Sequence, residues 1–320
     1  MVIGYTTHWI HSLQKIQVNM ILLKSIKDLL VPPQPDFVKH CDNLGYVHTS
    51  NENSLSFVDS SEYLEEALLN PKIRAVLIHP DLKKKHIRPI DYVECIDPNY
   101  AFHKLMENTD EEPPLVPTVI NSSARVGRNV AISVNGVTVG ENVVIEEGVF
   151  IGPRVQIGAN AVIQSGARLG CEGIERRISK EGECLYVTHR GSVKIGEGVR
   201  VGPNVVIDRG LRPSDLTTVG KFTCIGASSA ISHNVKIGER VFIAAGVLIS
   251  GSTVVSDDVT LGPGAMLSNG ITVNKSARVE IGSSALRDIP TSHRVIGIRV
   301  FPESGIRPLQ LHDDLVSKER

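Results

Sequence analysis

Bulk charge is missing from this chain. Its 34 basic and 35 acidic residues leave a formal charge of −1, and the pI is near 6.8, which excludes a nucleic-acid or anionic-membrane partner held by net charge alone. A disulfide framework is missing too. The five cysteines, Cys41, Cys95, Cys171, Cys184 and Cys224, are odd in number and scattered, with no CxxC pair for zinc. A reducing cytoplasm is the simplest compartment for such a set. No apolar run is long enough to span a membrane, and the start lacks the basic, apolar, small-residue order of a signal peptide. Glycine is nearly absent from residues 1–126, which hold Gly4 and Gly45 while the other twenty-six lie beyond. Nine of the fourteen aromatics fall in that glycine-poor part, so the 320 residues, room for one large or two ordinary domains, are two different kinds of chain.

Residues 1–19 share no pattern with the rest of the chain, whereas Met20 begins a better one, which marks the first nineteen as an extension of unclear role. From there to residue 112 the text predicts a small α/β domain. Leu55–Val58, Ala75–His79 and Tyr92–Ile96 read as strands, and basic Lys83-Lys84-Lys85 comes after the second. Ser60 or Ser61 can cap a helix through Tyr63, Leu64, Ala67 and Leu68. Asp97-Pro98 supplies an N-cap and a proline at the first position of another helix. The acidic, proline-bearing run Asp110-Glu-Glu-Pro-Pro114 reads as a linker.

One period then governs residues 113–288. Aliphatic anchors stand at Ile120, Val126 and Ile132 and, after a one-residue slip, every sixth place from Val139 to Leu169. Residues 170–194 interrupt the series. The anchors resume at Ile195, Val201 and Ile207 and run in the same phase from Val219 to Val279, with Pro213 the one break. The fifth place of each hexad is small or β-branched and the fourth is often Asn or Gly, as at Asn129, Asn142, Gly148, Asn160, Asn204, Asn234 and Gly264. Two residues separate a fifth place from the next anchor, so both side chains point to one side of a short strand. The third and fourth places must turn the chain, and Asn or Gly tolerates the left-handed conformation this needs. Short strands all turning one way close into a three-sided prism with eighteen residues per coil. At ~4.8 Å per coil, seven or eight coils make a column on the order of 35 Å. The fold class is therefore β, a parallel β-helix of hexapeptide type. Sandwich strands would recur at irregular spacings of ~8–12 residues instead.

Such a column has several uses. A structural or ice-binding solenoid would carry flat ranks of identical outward residues, and none appear. A metal-dependent hydratase would need converging histidines, whereas the regular column offers His233, with His189 in the interruption and His293 beyond the last hexad. The third use is acyl transfer in a cleft between columns of a trimer. His233 occupies the outward third place of Ile231-Ser-His-Asn-Val-Lys236 and reads either as a solvated surface histidine or as a base; Asn234 beside it reads first as a turn residue. One coil of eighteen residues on from His233 stands Gly251, a bare backbone N–H stacked beside an imidazole. A base and an oxyanion donor are what aminolysis of a thioester requires.

Together these residues resemble the UDP-3-O-acyl-glucosamine N-acyltransferase family of lipid A synthesis and its amino-sugar acyltransferase relatives. In the first domain the resemblance rests on Leu55-Ser-Phe-Val-Asp-Ser-Ser-Glu-Tyr63, Ala75–Ile78 and Asp97-Pro-Asn-Tyr-Ala-Phe102. In the column it rests on Ile207-Asp-Arg-Gly210, Ile231-Ser-His-Asn-Val235 and Ser250-Gly-Ser252, and in the interruption on Gly170–Gly173 and Thr188–Val193. It implies the left-handed form of the helix and a homotrimer. The donor would be acyl-CoA or acyl carrier protein with no permanently bound cofactor, and the acceptor the amine of a UDP- or dTDP-linked amino sugar. Carried across, His233 matches the general base and Gly251 the oxyanion donor. Phe57 and Tyr63 match two aromatics that sandwich uracil, with Ser60 between them; core packing is the plainer reading of that pair. Asp208 and Arg209 match a motif that is structural or lines the substrate, and Asn234 is counted with the substrate side.

The chain also departs from that family. Gly226 and Ala227 stand where an acidic or amide residue would orient the base, which leaves Asp208 as one candidate partner. Gly270 replaces a second histidine and Ile174 an aromatic. No carrier-docking C-terminal helix is evident, and the tail over residues 289–320 begins like the closing strand of acetyl-CoA-using relatives. O-acylation of a nucleotide sugar, or a nucleotide-sugar-binding scaffold whose catalysis has decayed, are the alternatives these departures keep open.

Overall fold

The computed structural model describes residues 25–31, 41, 43–47, 52–82, 89–109 and 114–302. The expected extension over residues 1–19, the run Lys83-Lys84-Lys85, linker residues 110–113 and tail residues 303–320 lie outside the described residues. The chain divides into two compact units, Met1–Glu111 with Ile174–Val187, and Glu112–Gly173 with Thr188–Arg320.

The first unit carries a four-stranded parallel sheet of β1 (Asn43–Leu44), β2 (Ser54–Val58), β3 (Ile73–Ile78) and β4 (Asp91–Glu94) in that spatial order. Ile73, Ala75, Val76, Leu77 and Ile78 of β3 are all buried, as befits an inner parallel strand covered on both faces. Helix α1 (Ser61–Leu69) comes after β2 and buries Leu64, Ala67 and Leu68. Its N-cap is Ser60, whose hydroxyl accepts the Tyr63 N–H at 3.2 Å. Helix α2 (Pro98–Thr109) starts where Asp97-Pro98 places it, the Asp97 carboxylate accepting the Tyr100 N–H at 3.1 Å. The three expected strands and both expected helices thus form, while two-residue β1 carries no alternation that could have announced it. The interruption contributes an antiparallel hairpin, Arg176–Ile178 with Cys184–Tyr186, which groups with this unit.

The second unit is the parallel β-helix. Its three walls are sheets of eight, eight and ten strands, all parallel except for a final antiparallel return. Leu248 pairs with Met266 and Phe242 with Thr260, an eighteen-residue register that holds through the second half. Anchors from Val139 to Val279 are buried and form one continuous core. Asn129, Asn142, Asn160, Asn204 and Asn234 all take φ between 53° and 61°, which confirms the fourth place as the turn. Where the fifth place is Thr or Ser, the hydroxyl is buried and returns to the backbone: Thr223 donates to the Gly238 carbonyl at 2.9 Å and accepts the Val241 N–H at 3.1 Å.

One expectation needs correction. Ile120 and Val126 are exposed rather than buried, because the first coil has no coil stacked on its outer side within this unit. The break in the anchor series at Pro213 has a structural counterpart. Val206 pairs with Ala230 across 24 residues rather than 18, so the hexad around Pro213 leaves the wall as an inserted loop. At the far end the column continues past residue 288: Ile289 and Val295 are buried, and His293–Ile296 pairs parallel to Arg278–Val279 before Arg299–Pro302 returns antiparallel.

Candidate active site

His233 lies on the turn after Ala230–Ile231 and is half-buried. The stacking expected one coil on is present at atomic range. A Cβ on Gly251 would lie 2.7 Å from both Cε1 and Nε2 of His233, so only glycine leaves that ring its place. Gly251 is itself buried, and the neighbouring Ser252 N–H is committed to the His233 carbonyl at 2.9 Å. The Asn269 side-chain oxygen borders the same point at 3.1 Å.

The column is not without a second imidazole here. The interruption returns to the wall at Thr188–Val193 and delivers His189, fully buried, with its ring centroid 5.2 Å from that of His233 and the planes 30° apart. On the other side, Gly173 makes room: a Cβ there would meet His189 Cε1 at 2.6 Å and Asp208 Oδ2 at 3.0 Å. Asp208 is partly buried, and desolvation pushes its carboxyl up to about 6. Glu172 accepts the backbone N–H of His189 at 3.3 Å and pairs with Arg209 at 3.4 Å.

Asn234 has a defined task. Its side-chain oxygen accepts the Leu211 N–H at 2.8 Å, and its amide donates to Asp215 at 2.8 Å. Asp215 in turn holds Arg212 at 2.8 Å, and both are largely buried. This network ties the Pro213 loop to the turn bearing His233, so Asn234 is a scaffold residue here. Gly210 must be glycine for the same reason, since a Cβ would press 2.4 Å from the Asp215 carbonyl oxygen. The two inserted loops are laced by backbone bonds, Arg190 N–H to Leu211 and Gly191 N–H to Gly210, at 2.9 and 2.8 Å.

In the first unit Phe57 is half-buried in an aromatic cluster with Phe102 at 5.0 Å, His103 at 5.8 Å and Tyr46 at 6.1 Å between ring centroids. Tyr63 stands on the first turn of α1, 46% exposed. Among the described residues no set of three or more His, Cys, Asp or Glu side chains is placed to hold a metal. Nor is any described helix long and apolar enough to cross a membrane.

The family of bacterial transferase hexapeptide repeats (six repeats) matches residues 136–171 and 216–251, and the hexapeptide repeat of succinyl-transferase matches residues 117–153. These stretches of the column match hexapeptide-repeat models. The chain is 30% identical over 225 residues to the UDP-3-O-acylglucosamine N-acyltransferase of Coxiella burnetii, covering 61% of this chain and 64% of that enzyme. Against the enzyme of the same name from Rhizobium meliloti it is 39% identical over 146 residues, covering 46% and 41%. The chain thus spans less than two thirds of the length of these relatives. Among solved structures, LpxA from Acinetobacter baumannii matches with a TM-score of 0.48 at 19% identity, covering 57% of this chain and 72% of that one.

Proposed function

We propose that this chain is an N-acyltransferase. It moves an acyl group from a thioester on CoA or acyl carrier protein to the amine of a UDP- or dTDP-linked amino sugar, as the similarity to UDP-3-O-acylglucosamine N-acyltransferases supports. The observation that carries the proposal is the pairing of His233 with Gly251, an imidazole occupying the space that a side chain on this buried glycine would fill. In the reaction the amine nitrogen attacks the thioester carbonyl carbon, forming the C–N bond. The Gly251 N–H stabilises the resulting oxyanion. His233 takes the proton from nitrogen, the C–S bond breaks, and the departing thiolate receives that proton. Phe57 and the exposed Tyr63 would hold the nucleotide base by stacking, with Ser60 at the cap between them.

The outward residues support a homotrimer. One wall presents Val206, Ala230, Leu248 and Met266 in successive coils, whereas a second mixes Val162, Arg200, Cys224 and Phe242 and the third shows Thr138, Gln156, Lys194 and Lys236. An apolar stretch running over four coils of one wall suits a column that packs against neighbouring copies. The test is thiol release from acyl-CoA or acyl carrier protein with a panel of UDP- and dTDP-amino sugars. His233→Ala should lower kcat by about 10²-fold or more; full turnover by that variant on the best substrate refutes the assignment.

A further inference from the structure

A base on an exposed corner needs something to fix its ring and keep it neutral between turnovers. Around His233 the structure brings two such features together from segments far apart in sequence. His189 comes from the end of the interruption and Asp208 from the wall, while Gly173 leaves open the point both side chains border. His189 is fully buried and its ring centroid lies 5.2 Å from that of His233, with the planes 30° apart.

We propose that His189, backed by Asp208, is the positioning residue for His233. Gly251 bounds the His233 ring at one point and the neighbouring His189 ring limits it at another, so its rotation is restricted. Two imidazolium ions at this distance would repel, so the second ring disfavours charging both. Charged groups nearby include Asp208, the Glu172–Arg209 pair and the Arg212–Asp215 pair tied to the turn through Asn234, with Arg190 next to His189 in sequence. All of these remain in every variant of the test.

The inference rests on the proposed acyl transfer for its purpose but has a readout that does not need turnover. In the full chain labelled with ¹³C at histidine Cε1, the His233 resonance, assigned by its loss in His233→Ala, is titrated in wild type, His189→Ala and His189→Phe. Removing the buried ring opens the site to water, so the His233 midpoint should rise by about one pH unit in His189→Ala. His189→Phe, which restores a flat apolar wall, should hold the midpoint near the wild-type value. On the best amino-sugar substrate His189→Ala should lose about tenfold to a hundredfold in kcat at unchanged KM, with His189→Phe recovering most of it. A merely structural role would move neither the midpoint nor the split between kcat and KM. If His189→Ala does not fold, Gly173→Ala serves instead, since its methyl would lie 2.6 Å from His189 Cε1 and must displace the ring. A His233 midpoint that is the same in wild type and variant overturns the proposal, whether or not the protein transfers acyl groups. Absence of all turnover in wild type, with the midpoint shifted as expected, overturns the acyltransfer reading and leaves this one standing.

Discussion

Gly251→Ala probes the core of the site with a single methyl. The added carbon would sit 2.7 Å from two ring atoms of His233 and 3.1 Å from the Asn269 oxygen. Carbon and ring atoms rest at about 3.5–4.0 Å, so the imidazole must retreat by roughly 1 Å. The backbone N–H survives the change, so an oxyanion donor is still present in the chain. What is lost is the distance between base and donor. A misplacement of about 1 Å costs on the order of 10² in rate, or about 2.7 kcal/mol of barrier. Steady-state thiol release at saturating amino sugar should therefore show kcat falling about 10²-fold with KM within about threefold, because the methyl touches no group assigned to the nucleotide. Thermal unfolding should move little, since the His233 side chain can swing outward from its half-buried corner. A variant with kcat within a factor of about two of wild type would mean that His233 and Gly251 are neighbours without a shared task.

Asp208→Asn should be more stable than wild type at about pH 8 and indistinguishable near pH 4. The folded carboxyl, pushed up to about 6 from 3.8 by desolvation, favours the folded state below the lower value and loses that advantage as pH rises through the upper one. Because Asp208 is partly exposed, screening reduces the gain to about 1 kcal/mol, which urea denaturation across that pH range would register; a pH-independent difference would contradict it. Arg212→Ala leaves Asp215, with 8% of its side chain exposed, as a buried charge without its guanidinium. A loss of about 3 kcal/mol is expected, with faster exchange of the Leu211 amide, and a loss below ~0.5 kcal/mol would show the pair to be idle. Met266→Glu, on the apolar wall, should convert a three-chain species into single chains by light scattering, and an unchanged mass would move the trimer contact elsewhere.

Periodicity carried the column because its physics is strictly local. An inward side chain every sixth residue and a left-handed Asn or Gly at the fourth place recur in most coils, and Ile231, Asn234 and Ile237 are read as easily as any others. Stacking by one coil then places Gly251 beside His233 without any knowledge of the rest. Two things escape such a reading. An anchor's phase says which way a side chain points, not whether a further coil covers it, so Ile120 and Val126 look identical in sequence to Ile243 yet remain exposed. More telling is the loop around Pro213. An insertion of one whole hexad preserves the phase of every later anchor, so the wall from Val219 onward stays in step although six residues have left it. That same loop carries Arg212 and Asp215 to the Asn234 turn, and its backbone meets the end of the interruption. His189 therefore arrives at His233 through two departures from the repeat, one of which the repeat conceals. A periodic sequence discloses its periodic contacts; the rest of the candidate site is built from the residues that leave the period, and their meeting place depends on the fold closing around them.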